Sequence, residues 1–176
     1  MTKHADNTDM PVTDAASTTP AIEPARQGEF LLALTPEHVA EAIRAAGCAV
    51  TAVTEDGIVR LHSAAHGVGF QVLWGNAAAP GLYADLTLSC PLRVQGGTLP
   101  ANVQDEWHRS KRFARVAIHG DFVVLEMDVI ATGGVTTGHV AVMMQLWSQM
   151  MGQFFVYLRN LDTFKNAPAA EAATID

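Results

Sequence analysis

Glu126 and Asp128 stand two residues apart in Val124-Leu125-Glu126-Met127-Asp128. On an extended strand that spacing turns both carboxylates to one face, an arrangement from which acid–base catalysis can be built. Such catalysis needs the two acids in unequal, desolvated surroundings, so that one keeps its proton while the other loses it. Here Arg115, with Lys111 and Arg112 just before it, lies within reach of both. The expected arrangement is therefore a structural ion-pair cluster of Arg112, Arg115, Glu126 and Asp128, with no catalytic role.

Other reactive side chains are scattered. His62 and His66 bracket a strand end without a Cys, Asp or Glu at ligand spacing, so no metal site is expected. His119 falls at a turn and His139 at a helix start, and no serine lies in a nucleophile-elbow pattern. Cys48 and Cys90 lack metal-type spacing and are expected as free, mostly buried thiols. Gly133-Gly134 precedes a helix, where backbone N–H groups can hold an anion. Without a Walker lysine or a dinucleotide fingerprint, it is better explained as a corner that swings strand into helix. No cofactor is expected.

The elements that must position these groups follow from periodicity. Thr35-Pro36 is an N-cap and first helical position, Val39, Ile43 and Ala46 form one apolar stripe, and Gly47 stops the helix. Residues 49–54, 58–64 and 68–74 alternate apolar and polar around Asp56-Gly57 and His66-Gly67, predicting a three-strand meander with Ala52 opposite Leu61 and Leu61 opposite Val72. The same registers put Val59 opposite Trp74 and leave one continuous apolar face. After a loop at 76–81, residues 82–88 predict a fourth strand, Cys90-Pro91 a connection, and Pro100 to Ser110 a short helix with Val103 and Trp107 inward. Residues 113–119 and 122–130 flank Gly120-Asp121 as a hairpin in which Arg115 faces Glu126. The order α-β-β-β-β-α-β-β-α predicts an α+β fold, an antiparallel sheet packed against helices.

The final helix, opened by Thr136 and carried to about Asn160, has no formal charge from Val140 to Leu158. Gln145, Ser148, Gln149, Gly152 and Gln153 interrupt it at helical spacing, which argues against a membrane span. Its other side is apolar over a wider arc than one sheet face uses. Met143, Met144, Trp147, Met150, Met151 and Phe154 are therefore candidates for a partner or dimer surface as well as for core.

Composition sets the outer limits. The 176 residues suffice for one domain with a real core. The net charge of −7 gathers towards the two ends and leaves the body nearly neutral, which disfavours nucleic-acid binding. Residues 1–29 and 165–176, poor in apolar periodicity, are expected as disordered tails around a domain at 30–164. No basic start followed by an apolar run opens the chain, so cytoplasm is expected.

Trp107-His108-Arg109-Ser110-Lys111-Arg112-Phe113, Val124-Leu125-Glu126-Met127-Asp128 and Gly133-Gly134-Val135-Thr136 together resemble the YbjN family of bacterial sensory transduction regulators. Leu34-Thr35-Pro36 with Ala46-Gly47 resembles that family's first helix. One departure is His108, where the family often has Asn. The resemblance implies a fold similar to type III secretion chaperones, frequent dimerisation, and a regulatory or chaperone-like role without established catalysis. The expected function is a non-enzymatic, protein-binding regulator that pairs with itself and with an unidentified protein. The alternative is a small-ligand sensor with Arg112, Trp107 and Glu126 near the mouth of a pocket between sheet and helices.

Overall fold

The computed structural model describes residues 28–94 and 99–165. Most of the expected tails, and Gly96-Gly97, lie outside those residues. The first helix, α1, spans Pro36–Ala45, with Thr35 Oγ1 accepting the His38 N–H at 3.2 Å and Gly47 at φ +82° beyond its end. Three strands follow as the meander, β2 (Val50–Glu55), β3 (Ile58–Ala65) and β4 (Val68–Trp74), numbered after a short strand β1 (Phe30–Leu31) that precedes α1. Both meander turns place two consecutive residues at positive φ, Asp56 with Gly57 and His66 with Gly67. That is the type I′ condition, whose twist matches the strands on either side. The registers are those predicted, Ala52 opposite Leu61 and Leu61 opposite Val72, and the Trp74 indole N–H reaches the Val59 carbonyl at 2.6 Å. The apolar face fades at β2, where Ala52 and Thr54 are exposed.

Between β4 and the central strand the chain makes a small ribbon, β5 (Ala77–Ala79) with β6 (Leu82–Tyr83), where an open loop and a continuous strand were expected. The Asn76 side-chain amide donates to the Asp85 carboxylate at 2.8 Å, and the Ala84 N–H to the Asn76 carbonyl at 2.8 Å. This polar knot separates Leu82–Tyr83 from the strand that follows. Tyr83 instead exchanges backbone hydrogen bonds with Leu34 and stacks on Trp74, centroids 4.4 Å apart.

Strand β7 (Asp85–Arg93) runs through Cys90-Pro91, which was expected as a connection. Its pairing with β4 ends at Gln71 opposite Ser89, so Pro91, opposite Val124 on its other side, occupies a locally open edge where its missing N–H is tolerated. Helix α2 (Val103–Ser110) leads to the hairpin β8 (Arg115–His119) and β9 (Phe122–Ile130), whose register is the predicted one, with Gly120 at φ +56°. Phe113, expected at the start of β8, lies outside it at φ +74°. The six long strands form one antiparallel sheet in the order β2-β3-β4-β7-β9-β8.

Ala131 then bonds back to Ala84, and Gly133 and Gly134 turn the chain at φ +89° and +96° into β10 (Val135–Thr136), which pairs with β1. The Phe30 ring fills the place of a Gly134 side chain, so that position needs glycine twice over, for φ and for space. Thr136 Oγ1 accepts the His139 N–H at 3.1 Å and helix α3 (Thr137–Lys165) begins. The Glu29 carbonyl accepts the Thr137 N–H at 2.9 Å, which ties the chain just ahead of β1 to the start of α3.

The core lies on one side of the sheet. Leu61, Phe70, Val72, Leu86, Leu88, Cys90, Leu125, Met127 and Val129 meet α1 and α3 there, with Trp147 edge-on to Phe70 at 5.7 Å. Among the described residues no helix is long and apolar enough to cross a membrane.

Candidate functional site

Arg115, Glu126 and Asp128 come together on the opposite face of the sheet. Strand pairing puts Arg115 beside Glu126 and Thr87 beside Asp128. The guanidinium spans both carboxylates, with Nε 3.0 Å from Glu126 and Nη1 bonded to Asp128, while Thr87 Oγ1 donates to Asp128 at 2.6 Å. Partial burial works against the charged form of Asp128, but the hydrogen bonds from Arg115 and Thr87 and the arginine charge outweigh it and lower the pKa. The hydrogen bond to Asp128 likewise raises the Arg115 pKa against burial. One cation thus bridges both acids and favours the ionised form of Asp128. Arg112 is not in this cluster, because its guanidinium lies over the Phe113 ring, 5.0 Å from the centroid. Thr87 is the member that periodicity did not find.

The residues offered for a ligand pocket do not converge. Trp107 is fully buried on the helix side with its N–H on the Ala114 carbonyl at 2.9 Å, Glu126 faces the other way, and Arg112 sits beside Phe113. The histidines also part company. His62 is exposed on β3, while the His66 ring rests against Gly152 of α3, with Nε2 donating to the Ser148 carbonyl at 2.9 Å and an edge-on contact to Phe155. That contact holds the turn residue at φ +54° against the helix. Among the described residues no group of three or more His, Cys, Asp or Glu is placed to hold a metal. Cys48 is half-buried, and burial pushes the Cys90 thiol up to about 11.

The more informative cluster belongs to α2. His108 Nε2 accepts the Val116 N–H at 2.9 Å, and Gln104 Nε2 donates to the Val116 carbonyl at 3.1 Å. Residues four apart on a helix share a face, so these side chains occupy the backbone groups that a further strand beside β8 would use. Accepting that N–H requires the lone pair on Nε2, which places the ring hydrogen of neutral His108 on Nδ1; His66 needs the opposite tautomer. Trp107 anchors the helix, edge-on to Phe154 at 5.1 Å and beside Tyr157, whose hydroxyl donates to the Val103 carbonyl at 2.7 Å. Gln104 was missed because its partner is backbone, visible only once α2 is docked.

On α3 the proposed partner residues are mostly core. Met144, Trp147, Met150, Met151 and Phe154 are each at most 5% exposed, and Met143 is half-buried. The wide apolar arc is used by this chain's own sheet, α1 and α2. What faces outward is an uncharged stripe of Val142, Gln145, Leu146 and Gln149, with Val156 further along. Phe113, 61% exposed, stands beside it and completes a shallow groove of about 480 Å³.

The sheet, α2 and most of α3 lie within residues 35–160, which match a family model, YbjN, described as "Putative bacterial sensory transduction regulator". The chain belongs to the YbjN family. No curated protein matches it. The YbjN match opens on the α1 N-cap and takes in both the Arg115 cluster and the closed edge at β8. The β1 strand that fastens Phe30 over Gly134 lies ahead of it. YbjN is a family of regulators by description and not a known family of enzymes.

Proposed function

We propose that this YbjN protein is a non-enzymatic, cytoplasmic regulatory domain that acts by binding another protein and functions as a homodimer. The observation that carries the reading is the groove between Phe113 and the outward stripe of α3. A surface helix normally turns charged residues to water, yet Val142, Gln145, Leu146 and Gln149 offer none, and Phe113 holds a large ring in solvent beside them. Apolar centres rimmed by amides suit a protein partner. The test is proximity labelling in the source cell with wild type and a Phe113→Asp, Val142→Glu double variant shown by circular dichroism to be folded. Neighbours labelled by wild type and lost from the variant are expected. An identical set of neighbours would overturn the reading.

A ligand-sensing alternative has one observation in its favour, at a different place from the one expected. A recess of about 480 Å³ lies between the stacked Trp74 and Tyr83 rings, Ile58 and Pro80. Its aromatic and aliphatic walls fit a small planar apolar molecule. A concentration-dependent rise in Tm with such compounds, abolished by Tyr83→Ala, would support it.

A further inference from the structure

Among the described residues the edge strand β2 has no neighbour on its outer side, and residues 51–55 are all exposed. Exposed sheet edges are ordinarily blunted by proline, lysine, a bulge or a covering element, because their unpaired N–H and C=O groups recruit further strands. This chain does that at β8 with Gln104 and His108. It does none of it at β2, where Val50-Thr51-Ala52-Val53-Thr54-Glu55 has no proline or lysine and pairs with β3 without a register shift. Val50, Thr51, Val53 and Thr54 favour extended structure, and the strand's only charge, Glu55, is held by Arg60 of the same chain at 2.7 Å.

We propose that β2 is the surface by which two copies of this chain meet, pairing antiparallel so that two six-stranded sheets become one. This deepens the homodimer part of the reading above and leaves its partner groove untouched. The sequence is self-complementary in that arrangement. About a two-fold axis normal to the sheet, residues opposite one another must share a face. Centring the axis on Val53 sets Val53 against its own copy, Ala52 against Thr54, and Thr51 against Glu55. No like charges then face each other, and Val53, 41% exposed on the single chain, is covered. A ladder this short buries less than the roughly 800 Å² per partner of a standard interface, so dissociation on the order of tens of micromolar is expected.

Sedimentation velocity over a wide concentration range tests this with the full chain. Wild type is expected to pass from monomer to dimer, and Val53→Lys, which sets two cations face to face, to stay monomeric. Thr51→Lys, placed opposite the second copy's Glu55, is expected to tighten the dimer roughly three- to tenfold. Val53→Cys in a Cys48→Ser background is expected to cross-link as a dimer on mild oxidation, and Val142→Cys in the same background is not. A strict monomer throughout, a dimer indifferent to Val53→Lys, or cross-linking at position 142 in place of 53 would each overturn the proposal. Of these outcomes only cross-linking at position 142 involves the partner groove, whose other neighbours are read by labelling.

Discussion

The two edges of the six-stranded sheet are finished in opposite ways. At β8 a helix lies alongside, and two of its side chains take the N–H and C=O of Val116 that a seventh strand would take. At β2 no element among the described residues lies outside the strand, and α1 packs on β2 and β3 from the core side through Val39 and Ile43. The difference turns on an anchor. Trp107, without measurable exposure, holds α2 beside β8 through Phe154, Tyr157 and the Ala114 carbonyl. Among the described residues nothing comparable flanks β2. Closing an edge therefore depends on a buried side chain as much as on the polar groups that meet the backbone.

The strongest way to break the contrast is to remove that anchor. Trp107→Ala deletes a buried indole and should lower unfolding free energy by about 3–5 kcal/mol in urea titrations. It should also speed exchange of the Val116 amide, because α2 loses its seat. A milder break leaves the helix seated and strips its contacts. Gln104→Ala with His108→Ala should reduce stability by about 1–2 kcal/mol, since the backbone groups of half-exposed β8 regain only part of their hydration. Because Trp107 still seats α2 alongside, that variant should not self-associate through β8 with rising concentration.

How far this contrast was legible beforehand follows from what each part depends on. The meander and hairpin registers depend on local signals, Asp56-Gly57, His66-Gly67 and Gly120-Asp121 between alternating strands, and all were predicted correctly. Arg115 opposite Glu126 came with its register. The α3 arc was visible as apolar, but periodicity cannot say whether such an arc meets its own sheet or another chain; Met144, Trp147 and Met151 are core because α1, α2 and the sheet all converge on one helix. Pro91 hides a strand because proline signals a break unless pairing with the neighbouring strand has already stopped. The closure of β8 was illegible for the same kind of reason. Gln104 and His108 look like an ordinary wet helix face until the tertiary fold brings a strand edge against them.

The Arg115 bridge sharpens the comparison at the exposed face of β9 and β8, with a smaller effect. Arg115→Ala removes a cation that is 47% exposed, so the loss at neutral pH should be below about 1 kcal/mol. The more diagnostic readout is acid dependence. Asp128 is depressed in the folded state, so its contribution is complete above the ordinary carboxylate value near 3.8 and is lost as pH falls through the lower folded value. Wild-type stability should therefore decline on that acid limb, and the decline should flatten in Arg115→Ala. An unchanged limb would show that Arg115 does not hold Asp128 ionised.

The smallest effect is expected at the open edge, where its smallness carries the information. Val53 is exposed on the outer face of β2, opposite Arg60, which is also exposed, so Val53→Lys should change monomer unfolding by no more than about 0.5 kcal/mol when measured at high dilution. The stems of both side chains can lie along the strand, and the ammonium stays in water. At high concentration the same substitution should lower the apparent Tm relative to wild type, because only wild type gains stability from association. At β8, losing the edge contacts destabilises the single chain, whereas at β2 a change shows only when copies are close enough to meet. A large loss for Val53→Lys at high dilution would mean that β2 is finished within one chain, and the two edges would then differ in means but not in kind.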